Sequence, residues 1–197
     1  MKVSEWLWNL LAPNYNLLRR NPLSAYFLKK EHLAAASLLK NFLSDNINTF
    51  CDLGVGRGNS LLLVPEIITH RFAMDRSLNM LKHTRMDFPD QLFINANVLN
   101  IPVKNETFDL IFCIGLLEYI TDLDSLFDQI YVILKPEGYA LVSYSPKNML
   151  ASLRILRGHR IYPRKRNEIY NCIREHRFEL LKFELTPLQH QCLIQKK

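Results

Sequence analysis

The rhythm of apolar and polar positions changes partway along the chain. Residues 3 to 11 place Val3, Trp6, Leu7, Leu10 and Leu11 at helical spacing before Pro13 and Asn14 break the pattern. From Pro22 to Phe42 a second helix is predicted, with Leu28, Leu33, Ala35, Ala36, Leu38 and Leu39 backed by Lys29, Lys30, Glu31 and Lys40. Beyond Asp45 and Asn46, short apolar runs alternate with helical patterns. Strands are predicted over 49–53, 71–74, 92–96, 108–114 and 139–144, with helices over 59–68, 78–86 and 123–134. The runs 108–114 and 138–144 are apolar at nearly every position, as central strands covered on both faces are. A helix over 166–176 and strands over 178–185 and 190–195 follow, the last two separated by Pro187. The alternation implies right-handed crossovers and an α/β architecture: a doubly wound sheet of seven mostly parallel strands with an antiparallel C-terminal strand, preceded by N-terminal helices.

A chain of 197 residues, 48% of them hydrophobic, is long enough for one self-sufficient core. It shows no internal repeat. Cys51, Cys113, Cys172 and Cys192 include no C-x-x-C pair, so neither a disulfide framework nor a metal site is expected, and a reducing cytoplasm is the simpler location. The apolar run from Trp6 to Ala12 is interrupted by Asn9 and is too short to span a bilayer. The net charge of +6 is local in origin. Arg154, Arg157, Arg160, Arg164, Lys165 and Arg166 cluster with His159 and no acid, and outside that segment basic and acidic residues balance. A focused site for something anionic fits this better than a nucleic-acid-binding surface, and nucleic acid is not an expected partner.

The segment richest in chemistry is Phe50-Cys51-Asp52-Leu53-Gly54-Val55-Gly56-Arg57-Gly58-Asn59-Ser60, between a predicted strand and a predicted helix. Glycines at alternate positions let the backbone turn sharply and approach a ligand more closely than a Cβ would permit. A bare glycine pattern serves equally for strand-to-helix geometry alone. The third glycine comes one residue too early for G-x-G-x-x-G, and the turn has no phosphate-binding lysine. A nicotinamide-dependent oxidoreductase is therefore the weaker alternative.

The pattern D-x-G-x-G-x-G resembles that of the class I S-adenosylmethionine-dependent methyltransferases, and Leu11-Ala12-Pro13-Asn14-Tyr15-Asn16-Leu17-Leu18 resembles the A-x-x-Y-D segment of their type 11 and ubiquinone-menaquinone-related members, with Asn16 where Asp is usual. Further motifs follow in the same order: Asp75 with Arg76 after the second strand, Asn95-Ala96-Asn97-Val98 after the third, 101–109 leading into the fourth, 113–119 at its end, and 133–139 before the fifth. The resemblance spans residues 45–145 and implies a Rossmann-like domain over 45–197, with 1–44 as a helical lid segment. It implies S-adenosylmethionine as cofactor, leaving as S-adenosylhomocysteine. Its contacts would be Asp52, Gly54, Gly56, Gly58, Asp75, Arg76, Asn97, Val98 and Cys113, with Tyr15 from the segment Ala12-Pro13-Asn14-Tyr15-Asn16. In the family Asp75 would hold the ribose hydroxyls, and Asn97 stands where an Asp usually meets the adenine. Helix capping is the plain alternative for Asp75.

The expected reaction is methyl transfer to a small-molecule or lipid-like acceptor, by in-line displacement. No universal catalytic residue is required. Should the acceptor be a phenol or enol, Tyr15, Glu118, Tyr144 and His159 are the candidate bases. Trp6 and Trp8 lie on different sides of their helix, and with the basic 154–166 segment they suggest peripheral membrane contact. An RNA or protein methyltransferase using that segment, and a noncatalytic scaffold that has lost the cofactor, are the remaining alternatives.

Overall fold

The computed structural model describes residues 22–40, 42, 47–156 and 160–197. The predicted first helix, Tyr15 and His159 lie outside these. Helix α1 (Pro22–Leu39) leads into a seven-stranded sheet built from β1 (Thr49–Leu53), β2 (His70–Asp75), β3 (Leu92–Asn95), β4 (Phe108–Cys113), β5 (Leu134–Tyr144), β6 (Phe178–Leu185) and β7 (His190–Lys196). Helices α2 (Leu78–Asp87), α3 (Leu123–Ile133), α4 (Met149–Leu156) and α5 (Arg166–Glu175) connect them. The strand order is β3-β2-β1-β4-β5-β7-β6, with β7 alone running against the rest. Chain direction across the sheet reverses between β1 and β4, which leaves a crevice at the carboxyl ends of those strands.

Strand alternation divides the core into two layers. Cys51, Leu53, Ile111, Val142 and Ile194 face one way and are covered by Phe127, Ile130 and Ile133 of α3 and Ile169 and Ile173 of α5. Phe50, Leu110, Phe112, Leu141 and Leu193 face the other way, under Leu38 and Leu39 of α1 and Leu61 and Val64. The helix starts are explicit in the sequence. Ser77 caps α2 by accepting from the Met80 N–H at 3.1 Å, and Asp122 caps α3 from the Ser125 N–H at 3.0 Å.

Three elements differ from the sequence expectation. Residues 59–68 form only a 3-10 turn, Asn59–Leu63, because Gly58 is left-handed at its start and Val64, extended before Pro65, stops it. Strand β5 begins at Leu134 rather than 139, with the Lys135-to-Gly138 turn carried inside it as a break in register against β4. Helix α4 occupies part of what was expected only as a basic segment. The antiparallel strand is the C-terminal one, β7, as expected; it lies inside the sheet, with β6 at the outer edge.

Asp109, at the start of β4, fastens β1, β4 and β5 together. Its Oδ2 accepts from the Asn48 and Thr49 N–H groups at 3.1 and 2.9 Å, and Lys135 Nζ donates to Oδ1 at 2.8 Å. Burial pushes this carboxyl up, but the bonds from Lys135, Thr49 and Asn48 outweigh that and hold it below the usual carboxylate range. Its stabilising contribution is therefore present above about pH 4 and lost as pH falls through the lowered folded value. Asp109→Ala is expected to cost about 2 kcal/mol at pH 7. Urea unfolding at pH 7 and pH 3 checks this, the gap between variant and parent narrowing at the lower pH.

Candidate functional site

The crevice is floored by the turn after β1. Gly54, Gly56 and Gly58 take φ of +74°, +53° and +78°, a region ordinary side chains resist. The Gly54 and Val55 N–H groups both donate to the Met74 carbonyl, at 2.8 and 2.9 Å, which folds the turn over the end of β2. Asp75 then secures it: Oδ2 accepts from the Gly56 N–H at 2.9 Å and Oδ1 from the Ser77 N–H at 2.8 Å. Ser77, not Asp75, is the cap of α2.

The glycines do different work. A Cβ on Gly56 would meet nothing nearer than the Gly54 carbonyl oxygen at 3.9 Å, so this position faces open space in the cleft. A Cβ on Gly58 would lie 2.7 Å from the Phe88 ring, so that glycine lets the turn pack against α2.

Gly54, Gly56, Asp75, Arg76, Asn97 and Val98 line one cavity. Three further cofactor candidates stand elsewhere. Asp52 and Cys113 are fully buried behind the lining, and Gly58 is covered by Phe88 and Thr84. Ser60, itself in the lining, donates to Asp52 Oδ2, while Asp52 Oδ1 has no hydrogen-bond partner among the described residues. Asn97 Oδ1 accepts from the Leu99 N–H at 3.2 Å, and Asn95 Nδ2 donates to the carbonyls of Asp75 and Arg76.

The opposite wall comes from residues with no local motif. Leu28, Glu31, His32 and Ala35 descend from α1, and Gln189 and Gln191 rise from the turn before β7 and its start. Gln191 Nε2 donates to the Glu31 carbonyl at 3.0 Å, tying these two pieces together. Ile114, Gly115, Leu116, Tyr119 and Ile120 complete the lining beyond β4.

The two described base candidates sit beside the cleft, not in its lining. Glu118 is buried and paired with Arg154 at 3.5 Å. The Tyr144 hydroxyl lies 3.2 Å from His190 Nδ1 on the sheet face covered by α5, and burial pushes its pKa up. The basic segment is partly consumed in holding the chain together. Arg154 reaches Ser145 Oγ as well as Glu118, Arg164 Nη2 donates to the Ile120 carbonyl at 2.6 Å, and the Arg166 guanidinium stacks over Phe183 at 4.1 Å.

Burial pushes Asp52 up to about 7, against the Ser60 hydrogen bond that favours its ionised form, with the charge of Asp75 adding to the rise. The folded protein thus holds this proton more tightly than the unfolded chain, and the group removes stability as pH rises from about 4 towards 7. Asp52→Asn is expected to raise the Tm at pH 8 by roughly 3 to 8 °C, an increase that shrinks towards pH 4.5, as differential scanning calorimetry would show.

A family described as Methyltransferase domain matches residues 51–142. An uncharacterized protein of Methanocaldococcus jannaschii is 32% identical over 150 residues, covering 76% of this chain and 62% of the relative. Trans-aconitate 2-methyltransferase of Escherichia coli is 31% identical over 139 residues, covering 69% and 54%. The chain thus spans between half and two thirds of the length of these two relatives. In fold it is similar to the magnesium protoporphyrin IX methyltransferase of Synechocystis, solved with bound S-adenosylhomocysteine, at a TM-score of 0.78 with 13% identity over 98% of this chain and 99% of that one.

Proposed function

As this chain belongs to the class I S-adenosylmethionine-dependent methyltransferases, we propose that it transfers the methyl group of that cofactor to a small-molecule acceptor in the crevice between the glycine turn and the α1 wall. The observation that carries the reading is the open space over Gly56, floored by left-handed backbone and flanked by the Asp75 carboxylate. The donor set suits this ligand. The Asp75 carboxylate accepts backbone N–H groups on both oxygens and keeps lone-pair capacity for a ribose hydroxyl. Asn97 and Val98 would border the adenine, and Gly54 and Gly56 would admit the amino-acid end. Behind Ser60, the buried Asp52 favours a cationic neighbour, which would restore its ionised form. In this assignment Gly58 and Cys113 support the turn and the end of β4 and do not touch the ligand.

The cofactor supplies an activated methyl group on a sulfonium. What remains for the protein is to exclude water and to hold the acceptor's nucleophilic atom in line at about 3 to 3.5 Å. Tyr119, Ile120, His32, Gln189 and Gln191 are placed to do so, because they line the side of the crevice away from Asp75 and Asn97. The trans-aconitate methyltransferase relative supports a small carboxylate-bearing acceptor as the first class to screen.

One observation favours a lipid-like acceptor as a second reading. Helix α4 leaves Met149, Leu153, Ile155 and Leu156 exposed next to the basic segment, an arrangement suited to a membrane surface. Among the described residues no helix is long and apolar enough to cross one.

Calorimetric titration with S-adenosylhomocysteine is expected to show micromolar binding where NADH shows none. Gly56→Ala should abolish that binding while the variant remains folded by circular dichroism, and Asp75→Ala should weaken it by roughly 1.5 to 3 kcal/mol. Unchanged affinity in both variants would remove the crevice as the cofactor site. For the second reading, sedimentation with anionic liposomes at low salt is expected to pellet the protein, and Leu153→Glu with Leu156→Glu to abolish this; failure to pellet would leave the small-molecule reading alone.

A further inference from the structure

On the sheet face opposite α1, α3 and α5 pack side by side, and each contributes two residues spaced by one helical turn. Asp124 and Asp128 come from α3, Cys172 from α5, and His176 from the C-cap of α5. We propose that these four side chains form a transition-metal site, suited to Zn2+, that clips α5 to α3.

Asp124, Cys172 and His176 cluster around a common centre, and Asp128 approaches it from the His176 side. His176 Nε2 lies 3.5 Å from Asp128 Oδ1 and 3.9 Å from Asp124 Oδ1, and Cys172 Sγ lies 4.0 Å from Asp124 Oδ1. The ligand atoms of Asp124, Cys172 and His176 all fall within 4.8 Å of one another. A tetrahedral zinc with bonds of about 2.0 to 2.3 Å has ligand-to-ligand edges of about 3.3 to 3.8 Å, so completing the shell takes rotation of the exposed carboxylates and of the Cys172 thiol, whose Sγ lies 3.7 Å from His176 Nδ1.

The histidine is already set for the task. Its Nδ1 lies 2.8 Å from the Cys172 carbonyl oxygen, which can only accept, so Nδ1 carries a proton and donates it. In the neutral ring Nε2 then offers a lone pair, and it does so towards two carboxylate oxygens that are also acceptors. A proton on Nε2 or a metal ion bound there would satisfy all three acceptors. A carbonyl holding the distal N–H is the arrangement that commonly orients a metal-bound histidine.

The surroundings are cation-attracting and reachable. Asp122, Asp124, Glu168 and Glu175 border a shallow cleft over Cys172 against one guanidinium, that of Arg164, whose Nη2 donates to the Ile120 carbonyl. Cys172 and His176 are mostly covered whereas both aspartates are exposed, so an ion can enter from the aspartate side. A thiol, an imidazole and carboxylates together suit zinc better than magnesium or calcium. Binding would release the Cys172 thiol proton to solvent as the sulfur–metal bond forms.

The test uses the reduced, chelator-treated full chain titrated with Co2+ and then Zn2+. One equivalent of Co2+ is expected to give a thiolate-to-cobalt charge-transfer band with tetrahedral ligand-field bands, both removed by Zn2+. Cys172→Ser should lose the charge-transfer band, and the surface change Asp128→Asn, which threatens no core packing, should weaken Zn2+ binding at least about tenfold. Absence of the band in the parent, its survival in Cys172→Ser, or Zn2+ affinity indifferent to Asp128→Asn would overturn the site and leave an imidazolium between two carboxylates in its place.

Discussion

Everything at the crevice depends on keeping the turn after β1 in a conformation that the backbone would not choose freely. Left-handed residues cost little in glycine, but three of them at alternate positions make a flexible loop unless something holds it. Here the Asp75 carboxylate receives the Gly56 N–H from one side and the Ser77 N–H from the other, while the Met74 carbonyl takes two more donors from the turn. One acidic side chain at the end of β2 therefore couples loop shape to helix start. The Thr84 hydroxyl, 2.6 Å from the Gly56 carbonyl, extends the coupling into α2.

A consequence is that the charged groups around the cleft are divided by depth. Asp52 sits below the floor, reached only through Ser60, and Asp75 sits at the rim with its oxygens half used. The two face different parts of whatever occupies the cavity. The basic residues that dominate the net charge take little part in this. Arg154, Arg164 and Arg166 brace the connection between β5 and α5 through Glu118, the Ile120 carbonyl and Phe183.

The sheet was largely legible from sequence because its strands are short, apolar and separated by helical periods, as in residues 108–113 and 123–133. Where expectation and structure part, the cause is local chemistry that a period count ignores: Pro65 ended a helix that its apolar residues suggested, and the bulge before Tyr139 admitted extra residues into β5. The glycine turn and Asp75 stood out for the same reason that they matter, their spacing. The α1 and Gln189–Gln191 wall did not, since its residues meet only after α1 lies across β6 and β7. Cys172 and His176 were equally silent. Their four-residue spacing gains meaning only beside Asp124 and Asp128, which arrive from a helix more than forty residues earlier.

The position of β7 sets an order of events for assembly. Strand β6 precedes β7 in the chain yet touches the sheet only through it, pairing from Phe178 to Leu185 with Lys196 to His190. While the polypeptide is being made, β1 to β5 can align with one another, but β6 has no seat until residues 190–196 slide in against β5. For that interval the flank of β5 is an open, apolar edge able to pair with any extended segment that reaches it. The crevice is unfinished for the same interval, because Gln189 and Gln191 arrive with that strand. Completion of the sheet and completion of the binding wall are one late step, so a nascent chain cannot present a finished pocket before its exposed edge is sealed.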